Sequence, residues 1–271
     1  MKRRARPGTW LGLFTLTALY GLPLAYLVAT SLKTSAQLFA SPAGLVFKPH
    51  LAAYRAVLNN GFFHALVNSA IIALGTAALV LALGTPAAYW LSRSRSRLVN
   101  VGLASLILLQ MVPQATTVIP LFRIMGKWGL IGTLQSVILA DTALLLPFAV
   151  IILRPFFVSV PNEVEEAAKV DGSSNVRIFL SIYLPLVRNG LLTVGTLVWI
   201  IAWGEFLYAI TFITSSDKLP VAGLLAQQVG QFGIDWGPLT AVAVLATLPV
   251  LGVFVVTQRY LREGLALGAG R

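Results

Sequence analysis

The chain has 271 residues, of which 57% are hydrophobic and only 11% are charged, and its mean hydropathy is +0.84. A water-soluble domain keeps about a quarter of its residues charged, so this composition excludes an ordinary soluble globular protein. The net charge of +11 does not indicate a nucleic-acid-binding protein. Such a protein clusters its basic residues on one face, whereas here they lie in short segments between apolar stretches.

Six stretches are long and apolar enough to cross a bilayer, which takes about 20 helical residues. Four contain no charged residue, and the other two contain one carboxylate each, Asp141 or Glu205. The alternating pattern of a membrane β-barrel is missing from the sequence. We therefore predict an all-α, polytopic membrane protein with six transmembrane helices, near Trp10–Ala29, Leu66–Leu91, Val101–Phe122, Thr133–Leu153, Asn189–Ile213 and Leu239–Gln258.

The first stretch follows basic residues and so resembles a secretory signal. Its charge-free run, Pro7–Leu32, exceeds the roughly 7–15 apolar residues of a signal, and five more stretches follow. We therefore predict a retained transmembrane helix. The chain contains no cysteine, so its redox compartment stays open.

The distribution of Lys and Arg predicts the orientation of the chain. With the amino terminus in the cytoplasm, fourteen basic residues fall on the inner side: Lys2, Arg3, Arg4, Arg6, Arg93, Arg95, Arg97, Arg154, Lys169, Arg177, Arg188, Arg259, Arg262 and Arg271. Six fall on the outer side: Lys33, Lys48, Arg55, Arg123, Lys127 and Lys218. This is the bias of the positive-inside rule. We therefore expect both termini in the cytoplasm, and the connections Ser31–Ala65, Arg123–Gly132 and Ser215–Pro238 outside.

The connection Arg154–Arg188 between the fourth and fifth predicted helices is unusually long and holds four of the nine carboxylates: Glu163, Glu165, Glu166 and Asp171. Asn162 and Glu165 have the spacing of a capping box, and Asp171-Gly172 predicts a helix end. Between them, Val164, Ala167 and Ala168 form a small apolar face at helical spacing.

A second short helix is predicted after this end, capped by Ser173 or Ser174 and ended by Leu184-Pro185. Its apolar residues are Val176, Phe179, Leu180 and Tyr183. The two short helices form either a hairpin that only connects two spans or a docking element for another protein. The small apolar face and the charged rim favour docking.

The spacing of this connection resembles a known family. Glu166-Ala167-Ala168, then Gly172, Ile182 and Leu184-Pro185 reproduce the EAA loop of type I ABC importer permeases, so we name Arg154–Arg188 the EAA loop. Other segments are similar to the maltose-type carbohydrate permease group: Ser31–Ser35, Asn68-Ser69, Pro86–Tyr89, Pro120-Leu121, Trp203–Phe206, Asp235–Gly237 and Gln258–Tyr260. The resemblance covers nearly the whole chain.

The resemblance implies a division of labour between subunits. The EAA loop would dock on a cytoplasmic ATPase dimer, with Glu166 paired to a basic residue there and Gly172 forming the bend. This chain would form half of a pathway for a sugar, with a second, related permease as the other half. An extracytoplasmic substrate-binding protein would deliver the cargo to the outer loops, and polyols and glycerol phosphates stay open as substrates.

The chain itself has no Walker A pattern, because Gly126-Lys127 is followed by Trp128 and lacks the upstream glycine. We therefore expect no cofactor in this chain, with ATP and Mg²⁺ bound by the separate ATPase. The two distant histidines, His50 and His64, predict neither a metal site nor a Ser–His–Asp set. We predict a transport subunit without enzyme activity.

Asp141 and Glu205 are the carboxylates at membrane depth, where ionisable residues are functional candidates. Helical spacing predicts Ala202, Glu205 and Ala209 on one face, turned toward the bundle. Glu205 has two possible roles, which the sequence does not distinguish. It contacts substrate in the translocation pathway, or it forms a hydrogen bond between two helices. An ion-coupled secondary transporter using Asp141 and Glu205 is the alternative function, but it leaves the EAA loop unexplained.

The domain organisation follows from these assignments. Residues 1–65 would contain the cytoplasmic amino terminus, the first span and an external segment. Residues 66–258 would form the ABC type I transmembrane core, which includes the EAA loop 154–188. Residues 259–271 would be a cytoplasmic tail. We expect the protein to lie in the cell membrane.

Overall fold

The computed structural model describes residues 7–44, 46–94, 96–230 and 233–269, with side chains between residues 12 and 260 of those ranges. Several basic residues of the orientation argument lie outside the described residues: Lys2, Arg3, Arg4, Arg6, Arg95 and Arg271. The predicted cytoplasmic position of the two termini therefore stays a prediction.

The described chain is built almost entirely of helices. They are α1 (Pro7–Ser31), α2 (Ser35–Ala40), α3 (Ala52–Asn59), α4 (Phe62–Arg93), α5 (Leu98–Gln110), α6 (Gln114–Lys127), α7 (Leu134–Val158), α8 (Asn162–Val170), α9 (Asn175–Ile178), α10 (Leu184–Leu186), α11 (Arg188–Trp203), α12 (Leu207–Phe212), α13 (Val221–Gln227) and α14 (Trp236–Ala269). A π-helical turn, Phe179–Tyr183, joins α9 to α10, and Ser216–Lys218 forms a 3₁₀ turn. Two short antiparallel strands, β1 (Val229–Gly230) and β2 (Gly233–Ile234), pair with each other.

Four described segments are long and apolar enough to cross a membrane as single helices: Gly12–Ser31, Phe62–Arg93, Leu134–Val158 and Trp236–Tyr260. Two bent pairs qualify if each is counted as one span. Leu98–Gln110 and Gln114–Lys127 meet at 96°, and Asn175–Leu186 meets Arg188–Trp203 at 76°. The predicted all-α membrane fold is confirmed, with up to six spans in the described residues.

Two predicted spans are broken, which the sequence analysis did not expect. The third bends at Pro113, whose extended backbone and missing N–H end one helix before the next begins. The fifth ends at Trp203, with Gly204 as its C-cap, and the helix starts again only at Leu207. The prediction of one continuous helix over Asn189–Ile213 is therefore wrong.

The described residues within 7–63 and 224–248 form one compact unit. The predicted external segment is folded there, with α2 and α3 fixed to the end of α1. The Ser31 hydroxyl lies 2.7 Å from that of Tyr54, and the buried Lys33 ammonium donates to the carbonyl of Pro42 at 2.9 Å. Thr34 and Gln37 cap α2 with reciprocal hydrogen bonds, in a capping box.

The described residues within 64–223 and 249–269 form the second unit. Its larger apolar core packs α4, α7 and α11 around Val80, Ala149 and Val198, and a smaller core packs α6, α7 and α12 around Tyr208 and Phe212. The close approach of α11 to α7 requires a glycine, because a Cβ on Gly190 would lie 2.5 Å from the Phe156 ring. Dense packing on both sides holds α7 in the centre of this unit.

Candidate functional site

Gly172 sets the turn between the two short helices of the EAA loop. Its φ of +76° lies in the left-handed region, which glycine adopts without a steric penalty. The N–H groups of Gly172 and Ser173 donate to the carbonyls of Lys169 and Ala168, at 3.0 and 2.9 Å. These two bonds form a Schellman motif that ends α8, as the sequence predicted. The Ser174 hydroxyl then accepts from the Arg177 N–H and caps α9, one of the two caps that were expected.

The residues of the EAA motif divide between two faces. Ala168 is buried and Val164 packs against the larger core, whereas Glu166 and Ala167 are exposed. Val164, Ala167 and Ala168 keep their helical spacing on α8, but Val164 and Ala168 are covered by the core, so Ala167 alone of the three is exposed for docking. Farther along, Ile182 packs against the core, Leu184 is half-buried and Pro185 is exposed. The loop thus has an anchoring face and an exposed face.

The predicted capping box at the start of α8 does not form. Pro161 is the N-cap, and no side chain caps the helix. Instead, the Asn162 amide oxygen accepts a hydrogen bond from Arg93, the last residue of α4. Glu165 is also engaged elsewhere, since its carboxylate accepts from Lys169 at 2.7 Å and from the Tyr183 hydroxyl at 3.0 Å. Tertiary partners have displaced the local pairing.

Glu165 carries its charge in a half-buried position. Partial burial raises the pKa of this carboxyl, but hydrogen bonds from Lys169 and Tyr183, together with the charges of Lys169 and Arg93, outweigh that effect. The pKa of Glu165 therefore lies below its ordinary value. An ionised Glu165 accepts hydrogen bonds from both sides and links α8 to the π-helical turn.

Arg93 is the residue that sequence reasoning missed. It was counted only as one of the basic residues that predict orientation. Its guanidinium donates to the carbonyls of Phe157 and Val160 at 2.6 and 2.8 Å, and its centre lies 4.7 Å from the centroid of the Tyr183 ring. Its one sequence signal was its place two residues after the predicted helix Leu66–Leu91, because a cation is favoured near the C-terminus of a helix.

Asp141 lies on α7 with only 1% of its surface exposed. Its Oδ2 atom is buried and has no hydrogen-bond partner. A buried polar atom without a partner costs free energy, so this position is an unusual one for a carboxylate. The structure thus places Asp141 inside the helix packing, as expected for a residue at membrane depth.

Glu205 lies in the break between α11 and α12 and not on a helix face. Its two carboxylate oxygens accept from the N–H groups of Tyr208 and Ala209, each at 2.9 Å. One of them also accepts from the Gln114 side chain at 2.8 Å, which joins this break to the start of α6. Glu205 therefore caps α12 and connects two helix breaks, and the predicted helical face with Ala202 and Ala209 does not exist.

A cavity of about 430 Å³ lies between α5, α6, α7 and α12. Its lining is mostly apolar, with hydroxyl groups from Thr116, Thr117 and Tyr208. The hydroxyls of Thr117 and Tyr208 are 2.6 Å apart. Neither Asp141 nor Glu205 lines this cavity.

The connection after α12 is fixed to the start of α4. The Asn68 amide donates to the carbonyls of Asp217 and Leu219, at 2.9 and 3.2 Å. The neighbouring Ser69 hydroxyl accepts from the Val221 N–H at 2.9 Å. Asn68-Ser69, noted above for its resemblance, thus holds the loop that is predicted to be external.

Comparison with known proteins connects this architecture to a family. A family model described as "Binding-protein-dependent transport system inner membrane component" matches residues 80–266. The chain is 33% identical over 252 residues to the sulfoquinovosyl glycerol transport system permease protein SmoH of Agrobacterium fabrum, covering 91% of this chain and 87% of SmoH. It is 31% identical over 266 residues to the trehalose transport system permease protein SugB of Mycobacterium tuberculosis, covering 96% of each.

A solved structure shares the fold. It is the crystal structure of a bacterial ABC transporter involved in the import of the acidic polysaccharide alginate, with a TM-score of 0.77 at 23% identity. The match covers 96% of this chain and 99% of that one. Nothing in these comparisons favours the ion-coupled alternative. The chain therefore belongs to the inner-membrane components of binding-protein-dependent transport systems, the permease subunits of ABC importers.

Proposed function

We propose that this permease forms half of the translocation pathway of an importer for a sugar or a related polyol. Support for this substrate class comes from relatives named for trehalose and sulfoquinovosyl glycerol transport. The other half would be a second, related permease, with the surrounding lipid covering the outer helix surfaces. Membership of the family implies an ATPase and a substrate-binding protein as partners.

The observation that carries the coupling proposal is the exposed face of the EAA loop. Glu166 and Ala167 are exposed on α8, while Ala168 on the same helix is buried against the core. A small residue beside a free carboxylate lets another protein approach closely and pair a cation with Glu166. We assign this face to an ATPase dimer, which would bind the ATP and Mg²⁺ that the permease does not.

The orientation follows from the same assignment. If the EAA loop faces the cytoplasmic ATPase, then both termini lie in the cytoplasm and the Ser215–Pro238 connection lies outside. There it would receive the extracytoplasmic binding protein. Asn68 and Ser69 support this role, because they hold the loop at a fixed position on α4.

The pathway assignment of Asp141 and Glu205 is divided by their contacts. Glu205 is engaged in capping α12, which favours a structural role at the helix breaks. Asp141 keeps a buried oxygen without a partner, so it is the better candidate for a hydroxyl-rich substrate in a state in which the packing around α7 has opened. Such a substrate would donate a hydrogen bond to this oxygen.

Charge reversal at Glu166 tests the docking face. We expect Glu166→Lys to weaken capture of the ATPase by about 2 kcal/mol, or roughly thirtyfold in affinity, because it replaces an attraction with a repulsion. The measurement is ATPase co-purification at equal amounts of membrane-inserted permease. Asp235→Lys makes the same charge change at an exposed site outside the EAA loop and should leave capture unchanged. Equal capture by Glu166→Lys and the unchanged permease would overturn the assignment.

A further inference from the structure

Arg93 at the end of α4 contacts the end of α7 and the start of the EAA loop that follows it. Its Nη2 atom donates to the carbonyls of Phe157 and Val160, at the end of α7 and just beyond it. The Phe157 carbonyl lies in the last turn of α7, where carbonyls lack regular helical partners, and the Val160 carbonyl follows the helix; one guanidinium donates to both. Arg154 on α7 donates in return to the carbonyl of Leu91 on α4 at 3.2 Å. The ends of α4 and α7 are therefore joined twice.

Arg93 alone of these two arginines also reaches α8. Its Nη1 atom donates to the Asn162 side chain, and its Nε atom lies 3.8 Å from the Glu165 carboxylate. The same planar group lies over the Tyr183 ring. Arginine suits such a position because it presents several donors in a fixed plane and stacks on aromatic rings. One side chain thus links α4, α7, α8 and the π-helical turn.

The proposed docking face, Glu166 and Ala167, lies next to the Arg93 cluster, which we define as Arg93, Asn162, Glu165 and Tyr183. A polar cavity of about 220 Å³ is lined by Arg93 and Glu165 and also by the exposed Glu166. Because Arg93 contacts Asn162 and Glu165 on the same helix as Glu166, a displacement of α8 by a protein bound at Glu166 would reach Arg93 through these contacts. Since Arg93 is the last residue of the 32-residue helix α4, the displacement continues into a membrane span.

We propose that Arg93 is the positioning residue that makes α4 move together with α8 when the ATPase closes. This inference rests on the proposed function of the EAA loop, because it needs an ATPase bound there. Arg93 does not contribute to the docking face itself. It transmits motion from that face, so its loss uncouples α4 from α8 and leaves ATPase binding in place.

The distance between two spin labels reports this coupling directly. The chain has no cysteine, so Trp90→Cys on α4 and Val170→Cys on α8, both exposed sites, provide its only two labelling sites. In the complex with the second permease and the ATPase, we expect one narrow distance distribution, the same without nucleotide and with ATP. In Arg93→Gln we expect ATP to shift or split the distribution of label distances. In Arg93→Lys we expect ATP to cause a smaller shift.

Two controls separate this role from simpler ones. Arg154→Gln removes the other hydrogen bond between α4 and α7 and leaves α8 unaltered. Arg97→Gln removes an exposed positive charge from the connection between α4 and α5. Both should keep the narrow distribution. The inference is overturned if Arg93→Gln and Arg93→Lys give the unchanged distribution in both states. It is also overturned if both variants fail to fold, which shows a structural role, or lose the ATPase, which shows a docking role.

Different results would refute the proposed function of the EAA loop and the proposed role of Arg93. If the unchanged permease captures no ATPase, then the docking assignment falls and the inference falls with it. If the ATPase is captured and the label distance is indifferent to Arg93, only the inference falls.

Discussion

Gly172 shows how a single backbone conformation fixes the angle between two helices. Its φ is +76°, and a Cβ placed on it would meet no atom within 4 Å. The constraint is therefore conformational and not steric, since the surrounding space is open. A residue with a side chain adopts the left-handed region at a cost in conformational free energy. This cost is smaller for asparagine than for alanine.

This difference gives a test at the residue scale. We expect Gly172→Ala to cost about 1 kcal/mol in the docking-competent turn, and so to lower the affinity for the ATPase about fivefold. Gly172→Asn should lower the affinity for the ATPase much less than Gly172→Ala does. Titration of the purified permease with the ATPase measures both values. Gly252→Ala, at an open helical position without positive φ, is the control. Equal affinities for the alanine and asparagine variants would contradict the conformational argument.

Local rules succeeded at Gly172 and failed ten residues earlier for a physical reason. The end of α8 is closed by bonds within the segment itself, so the sequence predicts it. At the start of α8, Asn162 bonds to Arg93, which is 69 residues away in the chain. A pairing of that kind depends on the fold, and spacing along one segment does not reveal it.

At the scale of elements, hydropathy predicted the spans but not the breaks within them. The run Asn189–Ser216 is apolar on both sides of Gly204, so its composition does not change where α11 ends. The break is stabilised by the Glu205 carboxylate, which accepts from the first N–H groups of α12. The sequence showed a carboxylate at membrane depth and gave no sign that it caps a helix.

The connection between α12 and α13 gives a test at this scale. Asn68→Ala removes the donor to the carbonyls of Asp217 and Leu219. We expect the free energy of opening this segment to fall by about 1 kcal/mol, and amide exchange there to accelerate about fivefold. Hydrogen-exchange mass spectrometry of the purified permease measures the change.

The control for that test is Asn100→Ala, at an exposed asparagine on α5. It should leave exchange over residues 215–221 unchanged. Unaltered exchange in Asn68→Ala would mean that Ser69 and the backbone bond from Gly132 to Phe212 are sufficient to hold the loop. That result would contradict the role given to Asn68.

At the scale of the whole molecule, the spans and the EAA loop indicate different properties of the protein. Six apolar stretches alone indicate a polytopic membrane protein, and the family match over residues 80–266 makes it an ABC importer permease. The domain boundaries at 65 and 258 stay predictions. The Arg93 cluster could not be predicted, because its members come from three separate segments and share no sequence pattern.

We propose that a separate ATPase drives uptake through this permease and its partner. The direct measurement is sugar uptake into proteoliposomes that contain both permeases and the ATPase, supplied with the binding protein outside. We expect uptake that requires internal ATP and the binding protein, and that is unchanged by ionophores. Uptake without ATP that collapses when ionophores are added would contradict it, and would favour ion coupling through Asp141 and Glu205 instead.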